Sequence, residues 1–334
     1  MHTRRRLILE AGSAALLADR SAWSGSAPAL ATPIRIANAA GATNLAMGEL
    51  MRQERFLESF GLAPDMLGVS DGTRIMGGVV SGSVDASMMS GFGQVFPAIE
   101  HGAAIRILAG GALLPVLALF SGKPEIRTLK DLEGRAIGTG SIGALVYQLT
   151  ATLLQKYQVN TSRIRFVNIG SNADIFRAVT AGTVDAGVGE ASLIGAAERY
   201  GVHLIEHGNM SLELKDYTYQ GAWASVKKIG TSRDALVRTL AAYARLYRFV
   251  QKPEAREAFL RARRKVFPNA PETDHVAQWN FIQTYKPFAV DLVLSPERLR
   301  YMQQLNVGFK VQKSILPFDR VADMSLAVDA LKLL

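Results

Sequence analysis

Cysteine is absent from this 334-residue chain. That excludes disulfides, thiolate metal sites and cysteine nucleophiles. It does not exclude an oxidising compartment, since domains of this size fold without disulfides. Long apolar runs are also missing: none reaches the ~18–20 residues of a membrane helix. The nearest candidate, 105–120, carries Arg106, Gly110, Gly111 and Pro115 and reads as buried strand and loop. There is no Walker motif and no G-x-S-x-G elbow. Carboxylates are common, but no pair stands out as an acid and its base. His203 and His207 stand four apart with Glu206 between them. No helix is expected there and no third ligand follows, so neither a metal nor another cofactor is expected.

Hydrophobic residues make up 49% and charged residues 20% of the chain. This is the balance of a folded globular protein, with length enough for two domains and a sizeable core. Net charge is +9, an excess that favours an anionic ligand or an anionic membrane surface. Basic residues are scattered except at Arg261-Ala262-Arg263-Arg264-Lys265. That run reads as a solvated helix face; without interleaved aromatics it does not read as a nucleic-acid site.

Thr3-Arg4-Arg5-Arg6-Leu7-Ile8-Leu9 sets paired arginines before an apolar stretch, and Ala29-Leu30-Ala31 fits a small-residue cleavage site. The layout is that of an export signal over 1–31, and the paired arginines favour the twin-arginine route over the general secretory one. Glu10, Asp19 and Arg20 interrupt its apolar core. No cysteine follows the cleavage site, so a lipid anchor there is excluded. The mature protein is expected to begin near Thr32 and to work in the periplasm.

One stretch occurs twice. Ser81-Gly82-Ser83-Val84-Asp85-Ala86 is echoed 100 residues later by Ala181-Gly182-Thr183-Val184-Asp185-Ala186. An amphipathic run precedes each copy. A small-residue run and a second helix-like segment follow, ending at Gly102 and at Gly201. Each copy reads as helix, glycine turn, buried strand, loop and helix. Asp85 and Asp185 read as turn residues that bind backbone amides. Two such units predict two similar α/β lobes with a site between them.

The rest of the chain agrees. Strands are expected at 33–38, 66–69, 84–88, 105–109, 116–120, 135–138, 164–167, 202–205 and 219–226, with helices over 44–60 and 144–156. From 232 onward the pattern is helical, with helices over 232–251, 254–267, 273–284 and 295–304. Alternating strand and helix followed by a helical tail is the α/β class.

Gly138-Thr139-Gly140-Ser141-Ile142-Gly143 has the G-x-G-x-x-G spacing after a strand. A dinucleotide site would need an acidic residue at the end of the next strand, and Asn168 and Gly170 stand there instead. The loop still offers backbone N–H groups at a helix start, with the Thr139 and Ser141 hydroxyls, to an anionic or strongly polar group. Comparable loops occur at Asp71-Gly72-Thr73, Ser90-Gly91, Gly170-Ser171-Asn172 and Gly189-Glu190-Ala191. All lie where strands end and helices begin, the ligand edge of a doubly wound sheet. Candidate ligand-binding residues are therefore Asn38, Gly72, Thr73, Arg74, Ser90, Gly91, Thr139, Gly140, Ser141, Ser171, Asn172, Glu190 and Trp223. Arg177 and Tyr219 are secondary candidates. No catalytic residue is assigned.

These residues resemble a known family. Strand 34–38, the helix-glycine-Val-Asp unit ending at Asp85, and Leu129-Lys130-Asp131-Leu132-Glu133-Gly134-Arg135-Ala136-Ile137-Gly138 carry the likeness. That last run is similar to the L-x-D-L-x-G-K-x-I-G opening of a second lobe, with Arg135 in place of lysine. The mature chain looks like the periplasmic substrate-binding proteins of ABC importers, in the group that binds nitrate, sulfonates, taurine and thiamine precursors. The resemblance covers about residues 33–260. It implies the type II periplasmic binding protein fold, two α/β lobes joined by two crossings, expected near 119–124 and 221–226. Lobe 1 would be 33–120 plus 225–334, and lobe 2 would be 121–224. It implies a monomer that closes on a small polar or anionic ligand, sulfonate-, nitrate- or pyrimidine-like, and delivers it unchanged to an ABC permease in the membrane. Loop 39–43 lacks an aromatic that would stack on a ring, and the ligand stays open at this point. So do two other readings: an enzyme on the same fold, acting on a small heterocycle or acid, and a module that reports to a membrane sensor.

Overall fold

The computed structural model describes residues 31–334. The expected export signal therefore lies, but for its last residue, outside the described residues. Ile34 and Ile36, alternating with Pro33 and Arg35, form the first strand, β1 (Thr32–Ala39), with the isoleucines buried and the arginine exposed. Then come α1 (Ala42–Gln53), β2 (Leu62–Val69), α2 (Gly72–Ser81), β3 (Ala86–Ser90), α3 (Val95–Glu100) and β4 (Ile105–Gly110). Next are β5 (Leu117–Ser121), β6 (Ala136–Thr139), α4 (Leu145–Lys156), β7 (Arg165–Asn168), α5 (Asn172–Thr180) and β8 (Ala186–Glu190). A 3-10 helix, Ala191–Tyr200, leads to β9 (His203–Asn209), α6 (Met210–Glu213) and β10 (Gly221–Ser225). The tail is α7 (Val226–Val250), α8 (Arg256–Val266), α9 (Glu272–Tyr285), α10 (Pro296–Gly308), α11 (Phe318–Val321) and α12 (Ser325–Leu331). The helix expected over 44–60 stops early because Arg55 takes φ 51°, and one 3-10 turn then ends at Gly61. α7 carries a break at Ser232 (φ −144°), where the long tail helix was expected to begin.

The ten strands form two sheets of the same design, ordered β2-β1-β3-β10-β4 and β7-β6-β8-β5-β9. In each, the first three are parallel and the fourth is antiparallel to its neighbour. The repeated stretch occupies matching places, as the turn between α2 and β3 and between α5 and β8. Gly82 (φ 80°) and Gly182 (φ 69°) take the left-handed conformation that a helix end requires. The aspartates make the same reciprocal pair in each copy. Asp85 Oδ2 accepts the Arg35 N–H at 2.8 Å while the Asp85 N–H donates to the Arg35 carbonyl at 2.9 Å. Asp185 repeats this with Ala136, at 2.8 and 2.9 Å. Each carboxylate thus ties the repeat's strand to the strand beside it, a charge-assisted bond of about 1.5–3 kcal/mol.

The sheets move the expected lobe boundaries. β5 is fully buried and pairs with β8 and β9, so 117–121 belongs to the second sheet. β10 pairs with β3 and β4, so 221–225 belongs to the first. The crossings therefore lie at 111–116 and 210–220, ahead of the positions expected at 119–124 and 221–226. Both expected positions overlap strands that are already paired in the next sheet. The crossings are bonded to each other: Gly111 N–H to the Gln220 carbonyl (2.8 Å), Gln220 N–H to the Ala112 carbonyl (2.9 Å) and Ser211 Oγ to the Pro115 carbonyl (2.6 Å).

The second crossing is also clamped to the second lobe. Glu213 accepts from Lys156 Nζ (2.8 Å) and from the Tyr157 hydroxyl (2.6 Å), and lies 3.2 Å from His207 Nδ1. Burial alone would raise its pKa and is the largest single influence, but these partners together bring it down to about 2. A carboxylate whose folded pKa is depressed contributes stability that is complete above its unfolded pKa and is lost as pH falls through the folded value. We expect Glu213→Gln to cost roughly 2–3 kcal/mol at pH 7. The gap between variant and parent should narrow steadily from about pH 4.5 downward in urea unfolding. A gap that stays constant down to pH 3 would remove the charge from the explanation.

The basic run of α8 is a solvated face at Arg261, Arg264 and Lys265, which are exposed. Arg264 pairs with Glu272 at 2.6 Å, Lys265 with Glu49 at 2.8 Å and Arg261 with Glu54 at 3.4 Å. Arg263 is turned inward and buried. Among the described residues no helix is long and apolar enough to cross a membrane, and no cluster of potential metal ligands occurs.

Candidate functional site

Four helices begin at the cleft between the sheets: α1 and α2 from the first, α4 and α5 from the second. Their placement follows from the strands, since each helix starts just after a parallel strand ends at the ligand edge. The cleft encloses about 310 Å³, the small end of the range for ligand sites. Two of its helix starts carry side-chain caps: Asp71 accepts the Thr73 N–H on α2, and Ser171 accepts the Asp174 N–H on α5. The other two begin at Gly41 and Ala144, which have no side chain able to cap. At α1 the Glu190 carboxylate of the second lobe stands on the helix start, bonded to Thr43 at 2.8 Å, so it is the α4 N-terminus that turns backbone donors and the positive end of its helix dipole to the cleft.

Of the candidate residues, Gly72, Arg74, Ser90, Gly91, Gly140, Ser141, Ser171 and Asn172 line this cleft. Ser90 Oγ accepts the Ala39 N–H at 3.0 Å and the Ser87 hydroxyl at 2.7 Å. Asn168 Nδ2 holds Ser141 Oγ at 3.2 Å. Arg74 and Asp71 are the charged residues of the lining, and Arg74 forms no ion pair among the described residues. Gly91 packs directly against the start of α4. A Cβ there would lie 2.7 Å from Leu145 Cβ on the opposite lobe.

Five candidates lie elsewhere. Asn38 is buried beneath the floor. Its Oδ1 accepts the N–H groups of Met88 and Met89 at 2.9 and 2.8 Å, and its Nδ2 donates to the Tyr243 hydroxyl at 2.9 Å. Thr139 is buried and bonds the Gly140 carbonyl. Thr73 is exposed outside the lining, one residue from Gly72. Trp223 is fully buried in β10. Alternation from Tyr219, which does line the cleft, would have kept Trp223 on the same face. A register shift between Gly221 and Trp223 breaks that alternation. Glu190 sits behind the lining, where its carboxylate accepts from Thr43 Oγ1 (2.8 Å), Asn172 Nδ2 (2.7 Å) and Gln278 Nε2 (3.3 Å). Desolvation there pushes its pKa up, against these hydrogen bonds and the Arg263 charge. The secondary candidate Arg177 pairs with Asp174 instead.

The sequence reading missed Gln94, which donates to the Gly72 carbonyl at 2.8 Å, and Gln220. Gln220 is buried in the cleft wall, and its Oε1 has no partner among the described residues. Its one sequence signal was its place just ahead of the returning strand.

The fold is shared with solved structures of low sequence identity. The alkanesulfonate-binding protein SsuA from Xanthomonas axonopodis pv. citri, bound to MOPS, matches with a TM-score of 0.70 at 18% identity, over 90% of this chain and 97% of that one. The periplasmic nitrate-binding protein NrtA from Synechocystis PCC 6803 matches at 0.70 and 11%, over 91% and 89%. The desulfurization enzyme DSZB matches at 0.58 and 15%, over 90% and 99%. Among curated proteins none matches the chain in sequence. The model of the NMT1/THI5-like family matches residues 53–262. That span holds both copies of the repeat and the whole second sheet, and the chain belongs to the NMT1/THI5-like family.

Proposed function

We propose that this chain is an exported, periplasmic solute-binding protein of an ABC importer, which captures a small anion between its lobes and delivers it unchanged to a membrane permease. One observation carries the reading. The uncapped N-terminus of α4 from the second lobe and Arg74 from the first line one small cleft, and Arg74 has no ion-pair partner among the described residues. Donors from both lobes can bond one anion only when the lobes are together, which makes the anion the agent of closure. The cleft lining has one aromatic residue, Tyr219. That fits a compact sulfonate or nitrate better than a stacked pyrimidine. The likeness to sulfonate- and nitrate-binding structures points the same way.

The enzyme reading finds less support. The lining has no histidine, and its one carboxylate, Asp71, is engaged as a helix cap. Thermal unfolding of the mature protein with methanesulfonate, taurine, nitrate and an uncharged sulfone separates these possibilities. An anion at 100 times its Kd should stabilise by about 2.7 kcal/mol, a rise of roughly 4–5 °C for this size, and should be recovered chemically unchanged. A response to the sulfone alone, or turnover of the ligand, would overturn the reading.

A further inference from the structure

Behind the cleft the two lobes meet along a polar seam. Asp274 on α9 is 5% exposed. Its carboxylate accepts from Arg199 Nη2 and from the Tyr200 hydroxyl, both on the 3-10 helix of the second lobe. Glu190, just before that helix, reaches the other way to Thr43 and Gln278 of the first lobe. Asp274 thus spends its bonding across the seam, as does Glu190 apart from its bond to Asn172.

Arg263 stands beside them on α8, which packs on α1 and α9. It is 6% exposed, and its Nε and Nη1 are buried with no hydrogen-bond partner among the described residues. Its guanidinium lies 4.8 Å over the Phe267 ring. Burial pulls its pKa down, while the Glu190 and Asp274 charges oppose that pull. A buried cation with unused donors is costly. The cost makes sense if the cation is needed in a second arrangement of the molecule. When the lobes part, Glu190, Arg199 and Tyr200 leave with the second lobe. Asp274 remains on α9 and loses the partners it has here.

We propose that Arg263 is the reserve partner of Asp274: as the lobes open, the Arg263 guanidinium takes over the carboxylate that Arg199 and Tyr200 release. Opening then exchanges one set of bonds for another and strands no buried charge. The proposal rests on the reading of the cleft as a site that closes. It makes Arg263 a positioning residue that favours the open form, although it lies outside the cleft lining. Neighbouring substitutions must therefore act in opposite directions. Arg263→Met removes the open form's compensation and shifts the protein toward closed. Arg199→Ala removes a bond of the closed form and shifts it toward open.

Spin labels at Leu67→Cys and Ile142→Cys, exposed positions on opposite lobes, report the separation directly, since the chain has no other cysteine. In ligand-free protein we expect Arg263→Met to reduce the ratio of long- to short-distance populations about tenfold, the effect of one charge-assisted pair. Arg199→Ala should enlarge that population, and Arg263→Lys, which keeps the cation, should stay near the parent. Arg263→Gln serves in place of methionine if the latter misfolds. An unchanged or enlarged long-distance population in the neutral variants overturns the exchange, as does a lysine variant that behaves like methionine. None of these comparisons uses a ligand. If anions fail to shorten the distance in the parent, the anion-binding reading falls while the Arg263 comparison still stands.

Discussion

Gly91→Val lowers affinity for the anion about 10- to 100-fold and leaves the melting temperature of the ligand-free protein within a few degrees. The glycine packs against the start of α4 on the opposite lobe. A Cβ would lie 2.7 Å from Leu145 Cβ, and Leu145 Cδ1 and Cγ stand 3.0 and 3.1 Å away. A Cβ anchored at the helix start cannot swing aside as the end of a long side chain does. The overlap falls across the cleft, so the protein relieves it by staying open. Its strain is then charged against closure at the 1–3 kcal/mol typical of overpacking. Gly93 makes a useful contrast. A Cβ there would meet Gln148 Oε1 at 1.9 Å, but that is the far end of a flexible side chain, and Gly93→Ala should cost less affinity. Calorimetric titration of the three proteins checks the order. Equal affinities for parent and Gly91→Val would mean that the arrangement described here is not the one that binds.

Arg74→Glu abolishes measurable binding of the same anion, and Arg74→Ala weakens it about 100-fold, while neither changes ligand-free stability by more than roughly 0.5 kcal/mol. The asymmetry follows from exposure. Without ligand the guanidinium is solvated and has no ion pair among the described residues to lose. With ligand it becomes the one full positive charge in the lining. Arg74→Lys should recover part of the loss, since the charge returns without the planar fork. Association rates should also become less sensitive to salt in the alanine variant. Normal binding by Arg74→Ala would leave the anion to the helix N-terminus at Ala144 alone.

Local chemistry made much of the architecture legible. The Gly-x-Val-Asp repeat predicted two like lobes, and Gly82, Gly182, Asp85 and Asp185 do in the structure what turn and amide-binding residues were expected to do. The lobe boundaries were not legible. Leu117–Ser121 and Gly221–Ser225 are short apolar strands whose composition says they are buried without saying in which sheet. The loops of the cleft were found because they follow strands. Asn38 and Thr139 were misjudged because their side chains turn inward to satisfy backbone or core partners, a choice set by tertiary packing. Trp223 was misjudged because nearness to the returning strand does not say which face a side chain takes, and in β10, beside a register shift, it packs into the core. Glu190 was the informative error: it is a carboxylate at the end of β8 that reaches the opposite lobe.

The exchange of strands between the sheets also fixes an order of assembly. β4 joins the first sheet only through β10, and β10 is not synthesised until the chain has passed residue 220. The N-terminal lobe therefore cannot complete its sheet while the first two-thirds of the chain is being made. The second lobe can, because 117–209 contains all five of its strands. The middle of this protein is the part equipped to fold first, and its beginning must wait for residues that arrive much later.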